Sequence, residues 1–303
     1  MTSQQRYCGR FAPSPTGPLH FGSLVAAMAS YADARHDCGS WLVRIEDVDV
    51  PRARPRAADA MLAALERYGF EWDDRAWRQS TRTAAYEAAL ATLIANGVAY
   101  ACICTRRELT ASPASAIGER IYPGTCRDRA ISDEAPRAAM RVRVPSTPIA
   151  FTDRVSGLQQ QRLDLDVGDF IVRRSDRLFA YQLAVVVDDD AQRITDVVRG
   201  ADLLTSTPRQ IFLQHALGLA TPRYLHVPVA VDLRGAKLSK QTAAAALPQE
   251  PLPALLSAWS FLGQMPPPAA PASAREFWTW AIDNWQTQRI PAVATQTVSS
   301  PIV

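Results

Sequence analysis

Three observations predict an α/β fold built on a doubly wound parallel sheet for this chain of 303 residues. In the first hundred residues, short apolar runs alternate with segments of helical spacing, the strand–helix–strand–helix order of such a sheet. The first strand-like run passes through a proline- and glycine-rich turn straight into a helix. After an interval rich in Arg, Pro and Ser, the apolar run Phe179 to Asp189 and the strand-like Arg193 to Gly200 resume the alternation of the first hundred residues.

Composition narrows the class. Hydrophobic residues make up 48% and charged residues 21%, as in ordinary globular proteins that fold in water. A net charge of +3 permits nucleic-acid binding without arguing for it, because an electrostatic footprint depends on clustering. No apolar run is long enough to span a bilayer and no signal peptide precedes Met1 to Gln5. The expectation is a cytoplasmic protein, a monomer without membrane association. Five cysteines are an odd number, so thiols or a metal site are expected rather than disulfides.

Taken in order, Tyr7 to Ala12 reads as a strand. Pro13, Pro15 and Gly17 then force a turn, and Leu24, Ala27, Met28 and Tyr31 show helical spacing. His20 to Ser23 therefore stand at a helix N-terminus, where unpaired N–H groups and the positive dipole end suit phosphate. Gly22 lets a flat ligand approach the backbone, and His20 offers a hydrogen-bond donor. The stretch lacks the GxxxxGK[ST] pattern, which excludes an ordinary P-loop.

Ser40 to Ile45 reads as a buried strand ending in Glu46-Asp47-Val48-Asp49, and ligands dock at such strand ends in open parallel sheets. Pro55 to Gly69 is a helix with Ala58, Met61, Leu62, Leu65 and Tyr68 on one face, stopped by Gly69. Ser80 to Gly97 is another, with Tyr86, Leu90, Leu93 and Ile94 inward. Cys102, Cys104 and Cys126 then offer three thiolates where zinc usually takes four ligands. Tyr122, Asp128, Glu108 or water are the candidates for the fourth, and buried free thiols are the alternative. Cys8 and Cys38 are expected in the core.

Arg141 to Val144, Ile149 to Val155 and Asp169 to Arg174 read as short strands of an inserted α/β unit. Its arginines (Arg106, Arg107, Arg120, Arg127, Arg129, Arg141, Arg143) suit phosphates or a solvated face. Thr207-Pro208-Arg209-Gln210 caps a helix to Leu217, and Tyr224 to Val231 is a strand leading to Lys237-Leu238-Ser239-Lys240-Gln241. These two lysines are the only ones in a chain with 33 basic residues. A compact ammonium has been kept here where guanidinium serves everywhere else. Beyond Pro248 two short helices are expected, near Leu255 to Leu262 and Arg275 to Trp285, with disorder from Pro291. The expected division is residues 1–99 and 183–247 as a catalytic unit, 100–182 as the insertion, and 248–303 as a short helical C-terminal part.

These phrases resemble a known family. Arg10-Phe11-Ala12-Pro13-Ser14-Pro15-Thr16-Gly17-Pro18-Leu19-His20-Phe21-Gly22-Ser23 is similar to the "RFAPSPTGxLHxG" phrase that carries the HIGH motif of class I aminoacyl-tRNA synthetases, in the glutamyl and glutaminyl branch. Phe21 stands in place of Ile and Ser23 in place of the last His. Lys237 to Gln241 resembles the KMSKS loop, with Leu for Met and Gln for the final Ser. The phrase of Ser40 to Asp49 is similar to "LRIEDTD", Phe179 to Asp189 to "YNFAVVVDD" with Gln182 for Asn, and Arg193 to Asp202 to "HVIRGEDxL".

The resemblance covers roughly residues 6–241. It implies a Rossmann-like catalytic core that uses ATP and Mg²⁺ as the class does. His20, Gly22, Ser23, Lys237 and Lys240 would serve ATP, the lysines neutralising the leaving pyrophosphate. Arg10, Phe11, Ala12, Pro13, Ser14, Glu46, Tyr181 and Arg199 would bind L-glutamate. Glu46 would hold its α-ammonium, and Arg10 and Arg199 its side-chain carboxylate through the planar guanidinium fork. The branch carries a Cys-x-Cys…Tyr-x3-Cys site for one structural zinc, which implies Cys102, Cys104, Tyr122 and Cys126 as ligands.

The long helical anticodon-binding part of a conventional glutamyl-tRNA synthetase has no counterpart in the remaining residues. That resembles the truncated members that transfer glutamate to the queuosine wobble base of tRNA(Asp), facing the anticodon loop with the catalytic unit itself. A minimal glutamyl-tRNA synthetase acting at a 3′ end, and a non-catalytic paralogue binding tRNA or the adenylate, are the alternatives.

Overall fold

The computed structural model describes residues 6–49, 54, 56–109, 120–238 and 245–298. Strand β1 (Cys8–Phe11) pairs in parallel with β2 (Ser40–Ile45), which pairs with the two-residue β3 (Trp77–Arg78). Helix α1 (Phe21–His36) makes the first crossover. Helices α2 (Ala57–Arg67) and α3 (Thr83–Ala95) follow, close to the predicted spans, although Ile94 faces solvent.

Next, β4 (Ala99–Cys102), the short helix α4 (Arg106–Leu109) and β5 (Ala139–Val142) lead to β6 (Ile149–Asp153) and β7 (Gly157–Gln161). The short helix α5 (Leu163–Asp166), β8 (Ile171–Arg173) and α6 (Tyr181–Ala191) come after them. Strand β9 (Asp196–Gly200), α7 (Thr207–Leu217), β10 (Arg223–Val227) and β11 (Val229–Val231) return to the sheet. The chain closes with α8 (Pro251–Phe261), α9 (Ala274–Asp283) and β12 (Thr295–Thr297).

Strand β10 runs parallel to β9 and β6, giving the order β7-β6-β10-β9. The Cys8 carbonyl accepts the Thr195 N–H at 2.9 Å, and the Cys8 N–H donates to Thr195 Oγ1 at 2.8 Å. These bonds seat β1 beside the start of β9. With β2 on its other side, β1 lies where the strand order reverses, the place at which open α/β sheets bind ligands.

The hairpin β6–β7 departs from the expected insertion. It joins this parallel sheet through Asp153 and Tyr224, whereas β4, β5 and β8 form an antiparallel sheet of their own. Local pattern marks a strand but not its partner.

Helix α1 is buried on nearly every side, from Leu24 to Ala34 with only Ala26 half-exposed, as a helix lodged in the centre of a core must be. The sheet covers one side of it, and α8 and α9 cover the other. Tyr31 meets Trp41, Phe70 and Trp278 edge-on with ring centroids 5.0, 5.3 and 4.8 Å away. The C-terminal helices thus complete the core that carries β1 and α1. Nor does the chain lose order at Pro291: β12 pairs in parallel with β11. Cys8 is half-buried and Cys38 exposed, so neither is the core residue expected. Among the described residues no helix is long and apolar enough to cross a membrane.

Candidate active site and cysteine cluster

The turn between β1 and α1 presents the first group. His20 is the extended residue before the helix, and its Nδ1 accepts the Ser23 N–H at 3.3 Å while Ser23 Oγ accepts the His20 N–H at 3.5 Å. This reciprocal cap satisfies two end groups of the helix and leaves Nε2 to carry the proton of a neutral ring. Gly22 has a spatial reason to lack a side chain: a Cβ there would lie 3.3 Å from the Leu238 carbonyl and 3.3 Å from His20 Cε1. Leu238 therefore reaches the helix N-terminus from more than two hundred residues away.

Between them lies a cleft of about 430 Å³. Pro13, Ser14, His20, Gly22, Ser23 and Lys237 line it. Lys237 Nζ sits 2.5 Å from Asp202 Oδ2, a partner not anticipated from sequence. Ser239, Lys240 and Gln241 lie outside the described residues.

Phe11, Ala26 and Gly200 are shared between this cleft and a smaller cavity of about 130 Å³, whose other walls include Arg10, Ala12, Glu46, Tyr181 and Arg199. All the residues expected to contact glutamate thus line one or other of two adjoining spaces. The Glu46 N–H donates to the Pro13 carbonyl at 3.0 Å, tying the end of β2 to the turn. A third cavity, of about 350 Å³, shares Ser14 and Thr16 with the cleft and Glu46 and Tyr181 with the small cavity.

A buried ion cluster supports the small cavity. Asp189 accepts Arg10 Nε at 3.1 Å and Arg44 Nη2 at 2.7 Å, and Arg44 also reaches Glu46 at 3.4 Å and Gln192 at 2.7 Å. Burial disfavours the Asp189 carboxylate, yet the two guanidinium groups outweigh it and hold its pKa below the usual range. For Glu46 burial wins over Arg44 and Arg10, pushing the carboxyl up to about 7. Arg10 is therefore already paired.

Arg199 is held differently, by His226 Nε2 at 3.1 Å, Gln210 Oε1 at 2.8 Å and Thr207 Oγ1 at 2.8 Å. Sequence reasoning missed Arg44, Asp189 and His226. A signal existed for Asp189, since Asp188-Asp189 interrupt an apolar helix and must find partners if buried. Asp188, fully buried, accepts Tyr86 at 2.6 Å, Gln79 at 3.0 Å and Arg82 at 3.0 Å.

The cysteine segment forms a separate centre. The three sulfurs of Cys102, Cys104 and Cys126 lie within 4.8 Å of one another. The Tyr122 hydroxyl lies 3.3 Å from Cys102 Sγ and 3.5 Å from Cys104 Sγ. Three convergent thiols and a phenol oxygen, largely removed from water, fit a tetrahedral zinc. The other two side-chain candidates are engaged elsewhere: Glu108 bonds Thr105, and Asp128 bonds Arg143. Gly168 makes the packing possible, because a Cβ there would stand 2.7 Å from the Tyr122 nitrogen. Arg141 stacks over the Tyr122 ring at 3.9 Å and donates to the Asp169 carbonyl at 2.6 Å. It is a buried support rather than one of a phosphate-facing set.

Comparison with known proteins agrees with this geometry. Residues 8–251 match the model of the family described as tRNA synthetases class I (E and Q), catalytic domain. The chain is 55% identical over 289 residues to the glutamyl-Q tRNA(Asp) synthetase of Aromatoleum aromaticum, covering 94% of this chain and 90% of that protein. It is 53% identical over 297 residues to the protein of the same name from Pseudomonas aeruginosa, covering 97% and 98%. The crystal structure of glutamate-tRNA synthetase from Elizabethkingia anophelis shares the fold, with a TM-score of 0.82 at 23% identity over 98% of this chain and 68% of that one. The chain belongs to the class I tRNA synthetases (E and Q), among the glutamyl-Q tRNA(Asp) synthetases.

Proposed function

We propose that this enzyme activates L-glutamate with ATP and transfers it to the queuosine wobble base of tRNA(Asp). One observation carries the reading: a cavity lined by Arg10, Glu46, Tyr181 and Arg199 shares the walls Phe11, Ala26 and Gly200 with the cleft of His20, Gly22 and Lys237. An amino acid in the first and ATP in the second would meet with carboxylate facing α-phosphate.

Glutamate's α-carboxylate attacks the α-phosphorus in line, forming glutamyl-adenylate and breaking the bond to pyrophosphate. His20, the N-terminus of α1, Lys237 and Lys240 stabilise the negative charge moving onto the leaving group. Mg²⁺ would neutralise phosphate charge when bound with ATP. A hydroxyl of the queuosine ring then attacks the activated carbonyl, and AMP leaves. Glu46 binds the α-ammonium, and Arg199 with Arg10 the side-chain carboxylate. Catalysis rests on positioning and electrostatics.

Cys102, Cys104, Tyr122 and Cys126 would hold one structural zinc, fastening the segment that follows β4. We assign residues 1–99 and 183–247 to the catalytic unit, 100–182 to the insertion with the 149–161 hairpin returned to the catalytic sheet, and 248–303 to the C-terminal part. On this reading the protein works as a cytoplasmic monomer, where tRNA is met.

ATP-dependent transfer of labelled glutamate to three RNAs tests the reading: queuosine-containing tRNA(Asp), the same tRNA without the modification, and tRNA(Glu). Label on the first alone is expected. Label on tRNA(Glu) would make the protein a minimal glutamyl-tRNA synthetase, and RNA binding without label a non-catalytic paralogue.

A further inference from the structure

Arg199 is 5% exposed, yet among the described residues no carboxylate pairs with it. Its neighbours are neutral acceptors: a ring nitrogen, an amide oxygen, a hydroxyl and, at 3.4 Å from Nη2, the Leu203 carbonyl. The buried positive charge is thereby left for a ligand, while its direction is set by groups that do not quench it. The Nε–H is spent on His226 Nε2, which turns the Nη1 and Nη2 edge of the fork toward Gln210, Thr207 and the cavity.

His226 can accept from Arg199 only if Nε2 carries no proton. That condition is built in. His226 Nδ1 lies 2.7 Å from Asp153 Oδ2, and a carboxylate oxygen can only accept, so the ring proton stays on Nδ1. Asp153 is itself fixed. Its Oδ1 takes the N–H groups of Val155 at 3.0 Å, Ser156 at 2.8 Å and His226 at 3.4 Å. Burial disfavours the Asp153 carboxylate, but the bond to His226 and those turn N–H groups hold its pKa below the usual range. Burial likewise pushes the His226 pKa down to about 4, so the ring is neutral near pH 7.

We propose that His226, locked in its Nδ1–H tautomer by Asp153, is a positioning residue that presents the guanidinium of Arg199 to the side-chain carboxylate of the amino-acid substrate. The proposal rests on the reading of Arg199 as a glutamate ligand. It also gives the β6–β7 hairpin a purpose at the site, since Asp153 ends β6 and lines none of the three cavities described above.

Asp153→Asn separates tautomer from packing. The three N–H groups on Oδ1 oblige the amide oxygen to keep that place, so the NH₂ faces His226 Nδ1 and donates to it. The ring proton must then move to Nε2, where it opposes the Arg199 Nε–H. Two readouts follow. Imidazole ¹⁵N shifts, tractable with four histidines in the chain, should show Nδ1–H for His226 in the wild type and Nε2–H in D153N. Glutamate-dependent ATP–pyrophosphate exchange should show the glutamate KM raised about tenfold or more in D153N and H226N, with the KM for ATP unchanged. H226Q, whose amide oxygen reaches the Nε2 position, should stay near wild type.

Arg199→Ala separates the two ways of failing. If R199A raises the glutamate KM steeply while D153N and H226N do not, the positioning role is overturned. If R199A leaves the glutamate KM unchanged, Arg199 is not a glutamate ligand and the underlying reading falls, whatever the tautomer.

Discussion

Glutamate binding is expected to expel a proton from Glu46. The carboxyl is 9% exposed, and burial pushes its pKa up to about 7 against the pull of Arg44 and Arg10, with Asp189 pushing the same way. The charged and titratable groups around the small cavity are Arg10 on β1, Arg44 on β2, Tyr181 and Asp189 on α6, and Arg199 on β9. An incoming α-ammonium is held by the ionised form alone. Below pH 7 each unit of pH therefore costs about a factor of ten in affinity, or about a hundredfold between pH 8 and pH 5.

The glutamate side chain, with its own pKa of about 4.3, stays ionised through this window. The sign for folding is the reverse. An acid whose folded pKa is raised stabilises the fold while protonated, so this contribution is full below about 4.5 and is lost as pH rises through about 7. Titration calorimetry at pH 6 in two buffers of different ionisation enthalpy reads the released proton directly, and Glu46→Gln should abolish both the release and the slope. An affinity constant from pH 5 to pH 8, with no proton released at pH 6, would refute the reasoning.

Asp33→Ala should destabilise the whole molecule by about 3 kcal/mol, because among the described residues it leaves a partly buried Arg154 with Asp196 at 3.6 Å as its one carboxylate partner, beside the Thr287 hydroxyl at 3.4 Å. Asp33 also takes bonds from Tyr7, Trp285 and Thr287, so urea unfolding should lose stability in one transition that includes the C-terminal helices; a change under 1 kcal/mol counts against it. Lys237→Ala should slow adenylate formation by about 10² to 10³ while leaving glutamate affinity unchanged, read by pre-steady-state pyrophosphate release. Metal analysis should find one zinc per chain, lost in Cys102→Ser. Hydrogen exchange in that variant should rise around residues 120–128 and stay unchanged in β1 and α1, whereas uniform exchange would argue for free thiols.

The elements that sequence reading located well are those whose signal is local. The turn after β1, the helix entrance from His20 to Ser23, and the isolated lysines are neighbours along the chain, so their spacing is visible without a fold. Helices α2, α3 and α7 followed from apolar period and end residues within a few positions. The three cysteines were local in the same way, and the resemblance to the branch's Cys-x-Cys…Tyr-x3-Cys site singled out Tyr122 for the cluster that the structure brings together.

What failed in sequence depended on partners. Ile149 to Val155 looked like a strand of the insertion because its residues say nothing of which edge they meet. The tail from Pro291 looked disordered because three residues, Thr295–Thr297, become a strand only when β11 is there to pair with them. Arg141 looked available to phosphate because a sequence does not show that Tyr122 and Asp169 already occupy it.

By itself the sequence determined the fold class, the two motifs that meet at the cleft and the chemistry of the residues that line the small cavity beside it. Tertiary structure alone decided which charges have a carboxylate partner within the chain and which are held by neutral groups. Arg10 and Arg199 read alike as basic residues at strand ends. Folding sets Asp189 against the first, and a neutral histidine locked by Asp153 against the second. The reason is physical: a charge is quenched or preserved by what lies within about 4 Å of it in a dry cavity, and neighbours at that range come from positions far apart in the chain.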